Sequence, residues 1–219
     1  MNTTSRSRVD TKQNLILSAL HLFAEQGVDA VSMRTINSVA GARNASAVHY
    51  HFGSKLGIIE AVIDLVKGAV DKHRLPALAA LEAEVTAGVR PAARDVVHVL
   101  FDAYVRMNRE SDHGRAAVRF LARRQTDKSP EIQRLLNRDD QDVARRFDAL
   151  LALALPELPD AIRRTRYVYT WSLMVHGFAA TGSWNETAFG DLSAPTSDAA
   201  LVRFLDYLVG GLEAPVAHP

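Results

Sequence analysis

The chain has 219 residues, 47% hydrophobic and 23% charged, enough apolar material for one large domain or two smaller ones and too much for a disordered chain. Twenty-six Lys and Arg stand against 25 Asp and Glu, and a formal charge of +1 argues, taken whole, against a strongly basic nucleic-acid binder. The absence of cysteine excludes disulfides, thiolate zinc sites, iron–sulfur clusters and cysteine nucleophiles. No stretch approaches about 18 uninterrupted apolar residues, so no membrane partner is expected. Met1–Val9 is polar and lacks the apolar core of a signal peptide, which makes the cytoplasm the expected location.

Apolar residues recur at helical spacing along almost the whole chain. From Thr11, Leu15, Ala19, Leu22 and Phe23 form one stripe, widened by Ile16 and Leu20, and Gly27 ends it. Ser32 can cap a short helix with Ile36, Val39 and Ala40 inward, stopped by Gly41. A second short helix is expected from about Asn44 to Tyr50. Gly53-Ser54 breaks it, and Ser54 can cap a longer one carrying Leu56, Ile59, Val62, Ile63 and Val66.

Beyond Pro76 the segments lengthen. Pro91 suits the first turn of a helix bearing Val96, Val97, Leu100, Phe101 and Tyr104. Gly114 to Gln125 reads as another, and Pro130 opens a long one through Ile132, Val143, Phe147 and Leu150. A helix from Asp160 to Thr181 carries Tyr167, Trp171, Met174, Val175 and Phe178. Gly182 to Pro195 reads as a polar loop, and the last helix spans Ser197 to Leu212. Strand alternation is nowhere sustained. The expected fold class is all-α, with about nine helices.

Three early helices, the second and third short and joined by a Gly-containing turn, describe a helix-turn-helix. In such a motif the second helix of the pair enters the DNA major groove while the first crosses the backbone. In the segment 43–52, Ala47, Val48 and Phe52 can pack inward, leaving Arg43, Asn44, Ser46, His49 and Tyr50 outward. Asn pairs bidentately with adenine, Arg with guanine, and Ser and Tyr hydroxyls reach phosphates. The alternative is a small helical subdomain whose polar residues are simply solvated.

Thr11 to Glu60 resembles the DNA-binding domain of TetR-type transcriptional repressors. The matching elements, in order, are Ile16–Gly27, Ser32–Ile36, Val39-Ala40-Gly41 and Tyr50-His51-Phe52-Gly53-Ser54-Lys55. One departure is an extra residue between Gly41 and Tyr50, which leaves the start of the reading helix open. The resemblance implies phosphate contacts from Tyr50 and Lys55 and backbone contacts from Ser32 and Arg34. It puts Arg43, Asn44, Ser46 and His49 in the reading segment, with Phe52 in the small core. Arg6 and Arg8 would lie in a flexible arm. The expected organisation is an arm at 1–10, the DNA-binding domain at 11–57, a ligand-binding and dimerisation domain at 58–213, and a flexible tail at 214–219.

No catalytic or metal site stands out. His49 and His51 point to different helix faces, and the i, i+4 pair His98 and Asp102 lacks a third ligand. Asp139, Asp140 and Asp142 read as a solvated acidic face, and neither a phosphate loop nor a nucleophile elbow occurs. No enzyme activity, cofactor or metal is expected.

A TetR-like body needs an effector cavity and a surface for a second copy. Phe101, Tyr104, Met107, Phe120, Phe147, Trp171 and Met174 supply lining at helical spacing, with Arg119, Arg123, His98 and His176 as orienting polar groups. The effector expected is hydrophobic or amphipathic. The resemblance places dimer contacts on the last two helices, through Tyr167, Trp171, Phe178, Leu201, Phe204, Leu205, Leu208 and Leu212. The reading is a ligand-responsive regulator, a repressor binding a palindromic double-stranded DNA operator as a homodimer. The rival is a helical small-molecule-binding protein or enzyme without DNA binding.

Overall fold

The computed structural model describes residues 3–42, 44, 46–124, 129–180, 184, 186–192 and 198–216, with backbone only at 3–10, 124 and 136–140. Nine helices occur among them: α1 (Thr3–Gln26), α2 (Met33–Val39), α3 (Ala47–Phe52), α4 (Lys55–Thr86), α5 (Ala93–Glu110), α6 (Gly114–Arg124), α7 (Pro130–Ala154), α8 (Asp160–Ala179) and α9 (Asp198–Glu213). The only extended pairing among the described residues is an isolated bridge between Thr187 and Gly190, inside the expected loop. No described helix is long and apolar enough to cross a membrane.

Local signals set several boundaries. Ser32 accepts the Thr35 amide at 3.0 Å and Ser54 accepts the Gly57 amide at 3.1 Å, so both cap the helices that follow. Gly27 closes α1 at φ 83°, a left-handed conformation that other residues rarely adopt. Three boundaries differ from expectation. α1 starts at Thr3, so the backbone at 3–10, expected as a loose arm, continues the helix. α3 starts at Ala47, leaving Asn44 and Ser46 in the turn ahead of it. α4 runs on from Val66, the last inward residue read from spacing, through Pro76 to Thr86. Pro76 faces solvent, so the carbonyl of exposed Lys72, deprived of its amide donor, stays accessible to water.

The first three helices and the start of α4 enclose a small core of Leu15, Ala19, Leu20, Phe23, Val31, Ile36, Val48, Ile58 and Val62. α4, about 48 Å long at 1.5 Å per residue, leads from this core into the body, where it packs on α5. α8 and α9 pack on one another, α9 also against α5 and α8 against α6 and α7. Gly177 of α8 brings α9 close: a β-carbon there would lie 2.5 Å from the ring of Phe204. Phe101, Phe178 and Phe204 meet around this crossing with centroids 5.1–5.9 Å apart.

Much of the charge is spent inside the chain. Arg146 of α7 grips Glu82 of α4 through two 2.8 Å bonds. Arg163, buried, joins Asp148 and Asp160 at 2.9 Å, tying α7 to α8, and Arg164 adds a 2.8 Å bond to Asp148. Other arginines close helix C-termini. Arg90 donates to the Leu153 carbonyl at 3.1 Å, and Arg166 to that of Leu212 at 2.9 Å. The latter also reaches Ala214 and Pro215, so the start of the expected tail is anchored.

Candidate nucleic-acid interface

α2 and α3 form a helix-turn-helix whose inner face is apolar and whose outer face is polar. Ile36 and Val48 are fully buried, whereas Ser32, Arg34, His49 and Tyr50 are exposed, Tyr50 by 64%. The turn between them passes through Gly41 at φ 63°, and the amide of Ala42 returns to the carbonyl of Asn37 at 3.0 Å. The Oδ1 of Asn37 accepts the amide of Val48 at 2.9 Å, which joins the two helices directly. Sequence reasoning passed over Asn37. A polar residue at an inward register position of a short helix was the signal available.

The predicted contact residues fall into three groups. Arg34, His49 and Tyr50 point outward, and Tyr50 meets His51 edge to face with centroids 5.1 Å apart. Ser32 is exposed but engaged, its hydroxyl capping α2 and touching the Thr35 hydroxyl at 2.7 Å. Asn44, expected as an adenine reader, turns its Oδ1 to the Ser46 amide at 2.9 Å and so shapes the turn ahead of α3. Ser46 makes no side-chain cap. Arg43 lies outside the described residues, as do the side chains of Arg6 and Arg8.

Lys55 stands half-buried at the start of α4, its Nζ 3.3 Å from the carbonyl of Asp29. That bond joins the fourth helix to the turn between α1 and α2 and keeps the ammonium at the edge of the polar face. Phe52, half-buried against the core, carries the Lys12 ammonium 5.7 Å from its ring centroid. A cleft of about 450 Å³ opens beside α3, bordered by Asn14 of α1, Asn44 and Tyr50.

The body departs from the expected lining. Phe101, Tyr104, Met107, Phe120, Phe147 and Met174 are buried together, and Trp171, half-buried, donates its indole N–H to the Tyr104 hydroxyl at 2.9 Å. Arg123 and His176 do not join them. Both are exposed, and Arg123 donates to the Glu25 carbonyl at 2.8 Å, because α6 turns that face toward α1. Arg119 and His98 are exposed as well, and Asp102 pairs with Arg106 at 2.6 Å. A second cleft, of about 440 Å³, lies at the seam of α1 with α5 and α6, bordered by His21, Glu25, Arg115 and Arg119. Across that seam His21 Nε2 meets His113 Nδ1 at 3.0 Å. Among the described residues no three His, Cys, Asp or Glu converge as a metal site.

The predicted dimer residues are largely used within the chain. Phe178, Leu201, Leu205, Leu208 and Leu212 are buried in the monomer. Tyr167 stacks on Phe147 with centroids 6.0 Å apart, and Trp171 and Phe204 are half-buried in contacts of their own. The stripe read from spacing is the inner one. The outer faces of the same helices carry Val168, Tyr169 and Leu173 on α8 and Val202 and Tyr207 on α9, all 49–68% exposed.

Residues 98–211 match the family model described as the tetracyclin repressor-like C-terminal domain, which covers more than half of the chain. The chain belongs to the TetR family. Residues 15–62, which contain α2 and α3, match the model of the bacterial regulatory proteins of the tetR family, so this is a TetR-family transcriptional regulator with a DNA-binding helix-turn-helix. Solved structures share the fold. A TetR-family protein from Rhodococcus sp. superposes with a TM-score of 0.59 at 13% identity, covering 94% of this chain and 100% of that one. The TetR-family regulator PfmR from Thermus thermophilus gives 0.59 at 16% identity, covering 93% and 96%. No curated protein sequence matches the chain.

Proposed function

We propose that this TetR-family chain is a ligand-responsive repressor that binds a palindromic operator as a homodimer in the cytoplasm. The observation that carries the reading is the split of α2 and α3 into a buried apolar side and an exposed side bearing Arg34, His49 and Tyr50, with Lys55 at its edge. His49 lies in the major groove, Tyr50, Arg34 and Lys55 meet phosphates, and Ser32 and Asn44 hold the backbone that presents them.

A second copy docks on the exposed apolar faces of α8 and α9, through Val168, Tyr169, Leu173, Val202 and Tyr207. The two reading helices then address half-sites about 34–36 Å apart. The effector is hydrophobic or amphipathic and enters beside the Tyr104–Trp171 pair, whose hydroxyl and N–H give a polar handle in an apolar surround. No catalytic step is assigned to the chain.

A mobility-shift assay on the DNA flanking its own gene, with and without a panel of apolar and amphipathic compounds, tests the proposal. Specific binding that a compound reverses is expected. Absence of specific binding at low salt would favour the helical binding protein or enzyme without DNA binding.

A further inference from the structure

A helix of six residues closes few internal hydrogen bonds against the cost of its nucleation. α3 is such a helix, so its pose must come from what holds its ends. At its C-terminal end the Ser54 amide donates to the Phe52 carbonyl at 2.8 Å. Gly57 of α4 approaches that same oxygen so closely that a β-carbon would lie 2.1 Å from it.

At its N-terminal end the first amides have no partner within the helix. The residue that would ordinarily cap them, Ser46, makes no side-chain cap bond. The cap comes instead from another helix. Asn37 of α2, eleven residues away and 4% exposed, accepts the Val48 amide through Oδ1. Its own carbonyl takes the Ala42 amide, so one residue holds both the exit from α2 and the entry to α3. Val48 is fully buried and His49 and Tyr50, next in sequence, face outward. Rotation of α3 about its axis would therefore break the Asn37 bond and swing both outward side chains.

We infer that Asn37 is a specificity-positioning residue: it touches no DNA, but by capping α3 from α2 it sets which base pair His49 addresses and which phosphate Tyr50 meets. The inference rests on α3 being the reading helix. Without the Asn37 acceptor the buried Val48 amide is left unsatisfied, and α3 relieves this by fraying or turning toward a local cap. Contacts from Lys55 and Arg34 belong to α4 and α2 and do not depend on that rotation.

The test uses the full chain and two duplexes, one selected by the native protein from a random library and one scrambled. Fluorescence anisotropy gives the affinity for each across a salt series. In Asn37→Leu, and in the polar but shorter Asn37→Ser, the preference for the selected duplex should fall by about tenfold or more. Affinity for the scrambled duplex and its salt slope should stay within about twofold. Asn37→Asp, which keeps an acceptor at the helix N-terminus, should retain most of the preference. A preference unchanged in whichever of Asn37→Leu and Asn37→Ser is folded, as judged by melting, would overturn the role of Asn37. Loss of both affinities in parallel would also overturn it, since a merely structural residue acts that way. A native chain that selects no sequence would instead sink the reading of α3 itself.

Discussion

Nη2 of Arg123 lies 2.8 Å from the carbonyl oxygen of Glu25, so a guanidinium of α6 closes the C-terminus of α1. This joins the DNA-binding unit to the body across the contact where Phe23 stacks on Phe120, with centroids 6.3 Å apart. Arg123→Met keeps the aliphatic stem and removes the donors. It should lower stability by about 1 kcal/mol, seen as a fall in Tm of about 2–4 °C. An unchanged Tm would mean that water satisfies the carbonyl equally well.

Lys55→Ala should weaken binding to every duplex and reduce the slope of log affinity against log salt by about one. The ammonium bonds a turn carbonyl and, among the described residues, no carboxylate is shown paired with it, which leaves its charge for phosphate. A salt titration on specific and scrambled DNA checks this. An unchanged slope would remove Lys55 from the interface.

Gly57→Ala should destabilise the DNA-binding unit by about 1–3 kcal/mol, although alanine favours helices in general. The added methyl would meet the backbone carbonyl of Phe52, which cannot swing aside as a side chain can. Loss of operator binding at temperatures where helix content in circular dichroism is nearly intact would locate the damage at the α3–α4 junction.

Acid should loosen the contacts of α7. The Arg146 guanidinium holds the Glu82 carboxyl below its ordinary range. Burial pushes the Asp148 carboxyl up, but bonds from Arg163 and Arg164 outweigh it and leave the group below its ordinary range too. A carboxyl lowered in the folded state stabilises the fold above its unfolded pKa, near 4, and that stability is lost as pH falls through the folded value. Melting followed from about pH 6 to pH 3 should show a fall that is shallower in Glu82→Gln. An identical slope would show that this pair contributes nothing to acid sensitivity.

Leu173→Glu or Tyr207→Glu should give a folded monomer, because each places a charge on an exposed apolar face rather than in the core. Sedimentation or light scattering reads the mass. Specific DNA affinity should fall with it, since one half-site contributes far less than two. A dimer that persists in both variants would move the interface elsewhere.

The helices themselves were legible from spacing. Ser32, Ser54 and Gly27 mark ends in the sequence and act at those ends in the fold. The spacing did not carry the fourth helix past Pro76, which α4 accommodates on its solvent face, where a proline costs less than one facing a packed neighbour. Spacing did not show that the Asn44 side chain accepts a backbone amide two residues away and so shapes the turn ahead of α3. Arg123 and His176 share the helical spacing of the aromatic residues, yet spacing does not say which way a helix is turned.

The +1 total charge, read alone, spoke against DNA. The first sixty residues hold six Lys and Arg against four Asp and Glu, while the remainder holds 20 against 21. Many basic groups of the body are committed to carboxylates and helix ends, as Arg146, Arg163, Arg90 and Arg166 show. Composition counts such groups equally with Arg34, which stands on the outer face.

By itself the sequence determined an all-helical chain, the order of its helices and the motif that marks the reading head, because periodicity, caps and turn glycines act within a few residues. Only the tertiary structure decided which of two apolar stripes on α8 and α9 is spent inside the monomer and which is left outside. It alone showed that Asn37, from another helix, caps α3. Such choices depend on which surfaces meet across the fold, and no local pattern carries that information.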